Sequence, residues 1–323
     1  MTTYLLRRLL LMIPTLWLVT IIVFLSVRLI PGDVITLMAG EVAGEGFGQQ
    51  ASIEEVAEDL RHILGFNEPV HIQYAKWLTN VFRGDLGESL WSHEPITREL
   101  LNRIPISLEL GIIGLLTALA LAIPIGIYSG VRQETLGDYV GRSVAILAIS
   151  VPGFWLATLV IVYPSIWWNW SPPLEYIPPF EDPLGNLAQF LLAGSIVALF
   201  VSGITMRLTR TMILEVLRQD YIRTAWAKGL TERIIVFRHA LKNALIPVVT
   251  TIGTYVPILI SGSIVIEEIF ALPGVGRYMV TAIGKRDYPV ISGINLVFAV
   301  AVLLINLIVD ITYAYLDPRV KYK

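Results

Sequence analysis

A chain of 323 residues that is 55% hydrophobic and only 15% charged is not a soluble domain, in which charged residues make up about a quarter. It contains no cysteine, which excludes a disulfide framework, a thiolate metal site and a cysteine nucleophile. Its formal net charge of -2 says little until it is divided among the loops.

Mean hydropathy is +0.68, and six apolar runs approach or exceed the roughly 20 residues a helix needs to cross a hydrocarbon core of about 30 Å. They lie at about 9–30, 106–131, 143–165, 187–206, 245–270 and 291–315. The first ends in Arg28 and Pro31 with no small-x-small cleavage site, so it is read as a retained span, not a signal peptide. The segment 31–104 is too long for a simple connection and has its own helical pattern. Its glycine-rich stretch GEVAGEGFG at 40–48 is acidic, the wrong sign for a phosphate cradle, and reads as a loop. Ser52 to Glu55 form a capping box, and Ile53, Val56, Leu60, Ile63 and Leu64 make one apolar stripe before Gly65. A second helix is predicted from about Asn67-Glu68-Pro69, burying Val70, Tyr74, Trp77, Leu78 and Val81 before Gly84, and a third from Glu94 to Arg103. Two roles stand open for this segment, a packed cap on the membrane bundle or a docking surface, and exposed apolar patches would separate them.

Within the second span, Gly126 and Gly130 have the small-xxx-small spacing that lets helix backbones approach closely. Glu109 in its first turn and Asp310 near the end of the sixth span are read as interfacial, not as members of an ion pathway. Trp167, Trp168, Trp170, Tyr176 and Phe180 follow the third span as an interfacial aromatic belt. The sequence contains no GxxxxGK[ST], HExxH or GxSxG pattern, and His62, His71, His93 and His239 have no ligand spacing. The chain is therefore expected to be no enzyme and to hold no cofactor or metal.

Charge sets the expected orientation. The segment 31–104 has five basic residues against twelve acidic ones, and 166–186 has Glu175, Glu181 and Asp182 with no basic residue, so both are expected outside. The loop 207–242 holds Arg207, Arg210, Arg218, Arg223, Lys228, Arg233, Arg238 and Lys242 against Glu215, Asp220 and Glu232, and Arg7 and Arg8 precede the first span. That loop and the N-terminus are expected in the cytoplasm, with the C-terminus and its Arg319, Lys321 and Lys323 on the same side. Anionic lipid would account for the charge of this loop without invoking nucleic acid, but not for its pattern. It reads as two short helices, about 212–228 and 231–243, broken at Gly229 and ending in Pro247.

The stretch YIRTAWAKGLTERIIVFRHALKNALIP at 221–247 resembles the cytoplasmic coupling loop of binding-protein-dependent ABC importers, usually written EAA-x3-G-x9-I-x-L-P. Aligned on Gly229, the EAA positions are Arg223, Thr224 and Ala225, and the I, L and P positions are His239, Leu241 and Lys242. These departures are similar to the dipeptide, oligopeptide and nickel branch, with its DY-x-RTA-x-AKG followed by RHAL-x-NA-x-x-P. The resemblance runs through PGD at 31–33, LG at 64–65, QY at 73–74, GDLG-x-S at 84–89, SVPGF at 150–154, EEIF-x-x-PG-x-G at 267–276, RDYP at 286–289 and DPR at 317–319.

The resemblance implies an all-α integral membrane protein with six transmembrane helices of the type I ABC importer permease fold and a small helical extracytoplasmic segment. Its parts would be the N-terminus and first helix at 1–30, the extracytoplasmic segment at 31–104, and a five-helix core at 105–323 with the coupling loop at 207–244. Implied partners are a homologous second permease, two cytoplasmic ATPase subunits, an external solute-binding protein and membrane lipid, with no nucleic acid. ATP and magnesium would be held by the ATPase subunits, and the location would be the cytoplasmic membrane of a bacterium or archaeon. The coupling residues carried over are Asp220, Tyr221, Arg223, Thr224, Ala225, Ala227, Lys228, Gly229, Arg238, His239, Asn243 and Pro247. Di- or oligopeptides are the expected cargo on family frequency, with nickel, glutathione or oligosaccharides as alternatives by the same mechanism. A secondary carrier would instead show an inverted repeat with broken mid-membrane helices.

Overall fold

Ten helices of eight residues or more organise the described part of the chain in a computed structural model that covers residues 2–28, 67–173 and 175–316, with Ala39, Glu54, Ala57, Glu58 and Arg61 as isolated positions. The capping box at 52–55, the stripe 53–64, the stretch 40–48, PGD, the LG pair at 64–65, DPR and the C-terminal basic residues lie outside the described residues. The helices are α1 (Thr2–Arg28), α2 (Val70–Phe82), α3 (Ile96–Val131), α4 (Leu136–Ser150), α5 (Gly153–Trp168), α6 (Pro183–Leu217), α7 (Asp220–Ala227), α8 (Leu241–Ile269), α9 (Val275–Lys285) and α10 (Tyr288–Leu316). Among the described residues extended pairing is limited to one isolated bridge between Glu88 and Pro95.

Five helical stretches, in α1, α3, α6, Glu232–Pro257 and α10, are long and apolar enough to cross a membrane, and the bent pair α4–α5 meets the same criterion when its two halves are taken together. The expected third span at 143–165 is thus not one straight rod. Its halves meet at 96° across SVPGF. Val151 is held extended at φ -82°, ψ 123° before Pro152, whose ring disfavours a helical predecessor and removes an amide donor.

Local chemistry explains the other boundaries. The Thr135 side chain accepts from Asp138 N at 3.4 Å to start α4, and Asp182 accepts from Gly185 N at 3.0 Å ahead of Pro183 to start α6. The expected helix 94–103 is instead the opening of α3, which runs 36 residues through Pro105. Proline suggested a boundary there, yet a lost amide is one bond in a helix about 54 Å long. The expected helix at 212–228 is likewise two elements, because α6 continues to Leu217 and α7 begins anew at Asp220.

One compact unit comprises Met1–Leu6, Arg103–Arg277 and Val302–Lys323. Its main core joins Leu110, Phe190, Ala193, Ile266, Phe270 and Leu272. The α3 glycines lie against α6 as their spacing anticipates: a Cβ added at Gly126 would fall 2.7 Å from Thr209 Cβ, and one at Gly130 2.7 Å from Ile213 Cγ2. Trp167, Trp168, Trp170 and Phe180 are exposed, but Tyr176 is not a belt residue. It packs edge-on against buried Phe190 at 6.2 Å.

In the same unit the EEIF-x-x-PG-x-G motif builds the turn from α8 to α9. The Glu267 side chain is fully buried, and its Oε2 accepts from Gly276 N at 2.7 Å and Arg277 N at 3.2 Å. Ser107 Oγ accepts from Val275 N at 2.9 Å. A carboxylate thereby satisfies the first amides of α9. A Cβ at Gly276 would stand 2.5 Å from Ile264 Cα, so this residue must be glycine for the turn to close.

The second unit comprises Arg7–Asn102 and Tyr278–Ala301. Tyr74 and Trp77 of α2 pack on Phe24 of α1, with ring centroids 5.2 and 5.6 Å away, and Tyr74 Oη lies 2.8 Å from Thr20 Oγ1. None of the five residues expected to be buried along this helix is fully so: Tyr74, Trp77, Leu78 and Val81 are half-buried and Val70 is exposed. GDLG-x-S and RDYP, 198 residues apart in sequence, meet: Ser89 Oγ donates to buried Asp287 Oδ2 at 2.6 Å and Leu90 N donates to Oδ1 at 3.3 Å. Trp91 Nε1 donates to the Lys285 carbonyl at 2.9 Å.

Candidate functional site

The segment 218–247 is a short amphipathic helix locked onto the start of the next span. Helix α7 has a buried side, Ile222 and Ala225, and an exposed side carrying Tyr221, Arg223, Thr224, Trp226, Ala227 and Lys228. It stops in a Schellman motif. Gly229 N bonds Trp226 O at 2.9 Å, Leu230 N bonds Ala225 O at 3.4 Å, and Gly229 sits at φ +75°. Nothing lies within 4 Å of a Cβ built on Gly229, so this glycine is required by its backbone angle and not by crowding.

After the turn, a single helical turn at Glu232–Ile234 passes into a π-helical stretch, Ile235–Ala240, and then into α8 without a break. The predicted second helix at 231–243 is therefore the root of the fifth span. Ile222, Ala225, Ile235 and Ala240 form one buried cluster, joined by Val216, Leu217 and Leu230. Ile222 and Ile235 are fully buried, and each such side chain is worth about 1.5–3 kcal/mol. Asn243 Nδ2 donates to Tyr221 Oη at 2.8 Å, and Arg132 NH2, following α3, lies 3.4 Å from Glu232 Oε2. The Arg223–Asp220 pair at 3.2 Å is exposed on both sides and contributes little.

The twelve residues singled out from the sequence thus divide. Tyr221, Ala225 and Asn243 hold α7 to its own chain. Asp220, Arg223, Thr224, Ala227, Lys228 and Gly229 form its exposed rim, Arg238 is exposed on the π stretch, His239 is half-buried and Pro247 is exposed inside α8. Ala225 faces inward at 6% exposure, so it does not offer a surface to a partner. Sequence reasoning passed over the apolar part of the free face: Trp226, Ile234 and Phe237 are 49%, 40% and 60% exposed. Spacing alone gave no signal for it: Trp226 lies four residues from buried Ile222 and so on the neighbouring part of the same face by helical period, yet it is left exposed. Phe237 also lines, with Pro124, Ile127, Tyr128 and Val236, an apolar cavity of about 840 Å³ between the end of α3 and this element.

A buried ion pair stands at the same end of the α3–α4–α6 bundle and was not anticipated. Asp138, fully buried in the first turn of α4, accepts from Arg210 Nε at 2.7 Å and NH2 at 2.9 Å and from Glu134 N at 3.0 Å. Its geometry is bidentate and it fastens α4 to α6 about two turns before the end of that helix. Among the described residues no group of His, Asp and Glu could hold a metal ion.

Comparisons agree with this architecture. The family model described as binding-protein-dependent transport system inner membrane component matches residues 122–322, and that of its N-terminal region matches residues 1–111. A candidate peptide transport system permease protein of Brucella abortus (strain 2308) is 40% identical over 326 residues, covering 100% of both chains. The dipeptide transport system permease protein DppB of Escherichia coli (strain K12) is 36% identical over 346 residues, again covering 100% of both. Among solved structures, an inward-facing form of the MetNI methionine ABC transporter matches 69% of this chain and 99% of its own, at TM-score 0.55 and 17% identity. An amino acid ABC transporter with histidines matches 68% of this chain and 94% of its own, at TM-score 0.52 and 12% identity.

Proposed function

The chain belongs to the family of binding-protein-dependent transport system inner membrane components, and from that premise we propose that it serves as the peptide-importing permease whose α7 is the seat of an ATPase subunit. It is a multi-pass permease subunit of an ABC importer in a bacterial inner membrane. Its cargo is di- or oligopeptide, as the names of its full-length relatives suggest. Nickel, glutathione or oligosaccharide remain the alternatives that the same mechanism would serve.

The observation that carries the coupling reading is the rigid bond between α7 and the root of α8. A helix can transmit force only if it moves with the spans beside it. The buried cluster of Ile222, Ala225, Ile235 and Ala240, the Schellman turn and the Tyr221–Asn243 bond tie α7 to both α6 and α8. Closure of two ATPase subunits on ATP would then tilt the equilibrium between two arrangements of the spans. The coupling residues are the exposed Asp220, Arg223, Thr224, Ala227, Lys228, Gly229 and Arg238, with Trp226 and Phe237 added as apolar anchors. Tyr221, Ala225 and Asn243 act by holding the element in place, and His239 and Pro247 belong to the π stretch and helix α8 that carry it.

On this reading residues 207–244 and both termini are cytoplasmic, 31–104 is extracytoplasmic and meets the solute-binding protein, and 105–323 forms the permease core beside a homologous second permease. ATP and magnesium belong to the ATPase subunits. The test is substrate uptake and ATPase pull-down in vesicles. Trp226→Ala is expected to lower ATPase retention by about 30-fold or more, as for an interface anchor worth about 2 kcal/mol. Lys228→Ala should change it by less than about fivefold, because an exposed charge contributes below about 1 kcal/mol. Equal retention by both variants and the parent would remove α7 as the seat.

A further inference from the structure

We propose that a cleft between α3, α4 and α6 is a binding site for the headgroup of an anionic phospholipid. The cleft has a volume of about 220 Å³, against about 30 Å³ for one water molecule. Ser129, Arg142, Arg207 and Arg210 line its polar side, and Ile146 and Met206 its apolar side.

Three guanidinium groups share a single nearby carboxylate. Arg210 commits its Nε and NH2 to Asp138. Arg142 Nε stands 3.6 Å from Asp138 Oδ1, beyond hydrogen-bond range, and is buried with no acceptor. Arg207 is exposed and forms no ion pair among the described residues. The cleft therefore has an excess of two positive charges over its one acid, and phosphate is an anion whose geometry the arginine fork matches bidentately.

A second, independent observation points the same way. The Ser129 side chain is 2% exposed, yet its Oγ has no hydrogen-bond partner. A buried hydroxyl and a buried guanidine N–H without acceptors mark a place where an acceptor is expected. Gly141 lets α4 come close to this hydroxyl, since a Cβ there would stand 2.5 Å from Ser129 Oγ.

The apolar wall identifies the source of the phosphate. Ile146 at the edge of the cleft is 59% exposed, on the face where α4 would meet acyl chains. A free phosphate ion would use only the arginine side, whereas a phospholipid uses both, as basic pockets between membrane helices do. No residue lining the cleft belongs to α7, so the proposal stands or falls independently of the coupling reading.

The experiment uses the intact transporter, purified in detergent, stripped of lipid and titrated with phosphatidylglycerol, phosphatidylcholine or inorganic phosphate, with bound lipid counted by native mass spectrometry. Phosphatidylglycerol is expected to bind at least tenfold tighter than phosphatidylcholine, and inorganic phosphate not to displace it at equal concentration. Arg142→Gln with Arg207→Gln should reduce that affinity about 30-fold, the effect of two cationic groups on an anionic lipid. Arg142→Lys with Arg207→Lys should keep most of it. Ser129→Ala, which leaves every charge in place, should lose about fivefold, the worth of one hydrogen bond. Unchanged phosphatidylglycerol binding in the Gln double variant, equal affinity for phosphatidylcholine, or displacement by inorganic phosphate alone would each overturn the proposal.

Discussion

Gly229 and Ala225 lie four residues apart, and one is needed for its backbone and the other for its size. At φ +75° with open space around it, Gly229 should accept Asn, which tolerates the left-handed region, but not Val; a residue forced there costs roughly 1–2 kcal/mol. ATPase retention is expected to survive Gly229→Asn and to fall in Gly229→Val, and the reverse order would refute a role for the turn. Ala225, buried among Ile222, Ile235 and Ala240, should resist enlargement from within its own chain. Asp138 is a further residue whose importance rests on its partner. Asp138→Ala strands Arg210 and should destabilise the protein by about 3–5 kcal/mol, while Asp138→Ala with Arg210→Leu should recover most of the loss. Thermal unfolding in detergent checks both. These roles were hidden in the sequence because an aspartate 72 positions from an arginine carries no mark of pairing.

Among elements, α2 was legible from its stripe and its terminating Gly84, while α9 was not foreseen at all. Helix α9 is held by contacts, not by its own cap: buried Glu267 accepts from the amides of Gly276 and Arg277. Glu267→Ala is therefore expected to cost about 1.5–3 kcal/mol, the value of a hydrogen bond to a charged group, read as a fall in the unfolding midpoint of the detergent-solubilised protein. No change would mean that the turn stands without its carboxylate. The break in the third span was readable as a proline motif, SVPGF, but its 96° angle was not. A proline removes one bond and biases its neighbour, and the packing of α4 and α6 chooses the direction, as where the Gly203 backbone lies close enough that a Cβ would meet the Ala145 carbonyl at 2.7 Å.

For the whole molecule the clearest prediction is topological. The chain has no cysteine, and Ser92 and Thr231 are both exposed, so Ser92→Cys should label in intact cells with a membrane-impermeant thiol reagent while Thr231→Cys should label only after permeabilisation. Equal labelling of the two would defeat the proposed orientation. The apolar character and the membrane-crossing helices followed from composition, since a helix of about 20 apolar residues has one cheap environment and needs no partner to choose it. The motifs at 84–89 and 286–289, or 267–276, were equally plain as strings, yet their meaning was not. Ser89 meets Asp287, and Ser107 meets the first amide of α9, only once distant segments are brought together. The same holds for the free face of α7: the sequence resemblance singles out Ala225 and passes over Trp226, whereas the packing of Ile222 and Ala225 against Ile235 buries the first and leaves the second for a partner. Burial depends on neighbours supplied from elsewhere in the chain, and a linear pattern specifies only which side chains are willing to be buried.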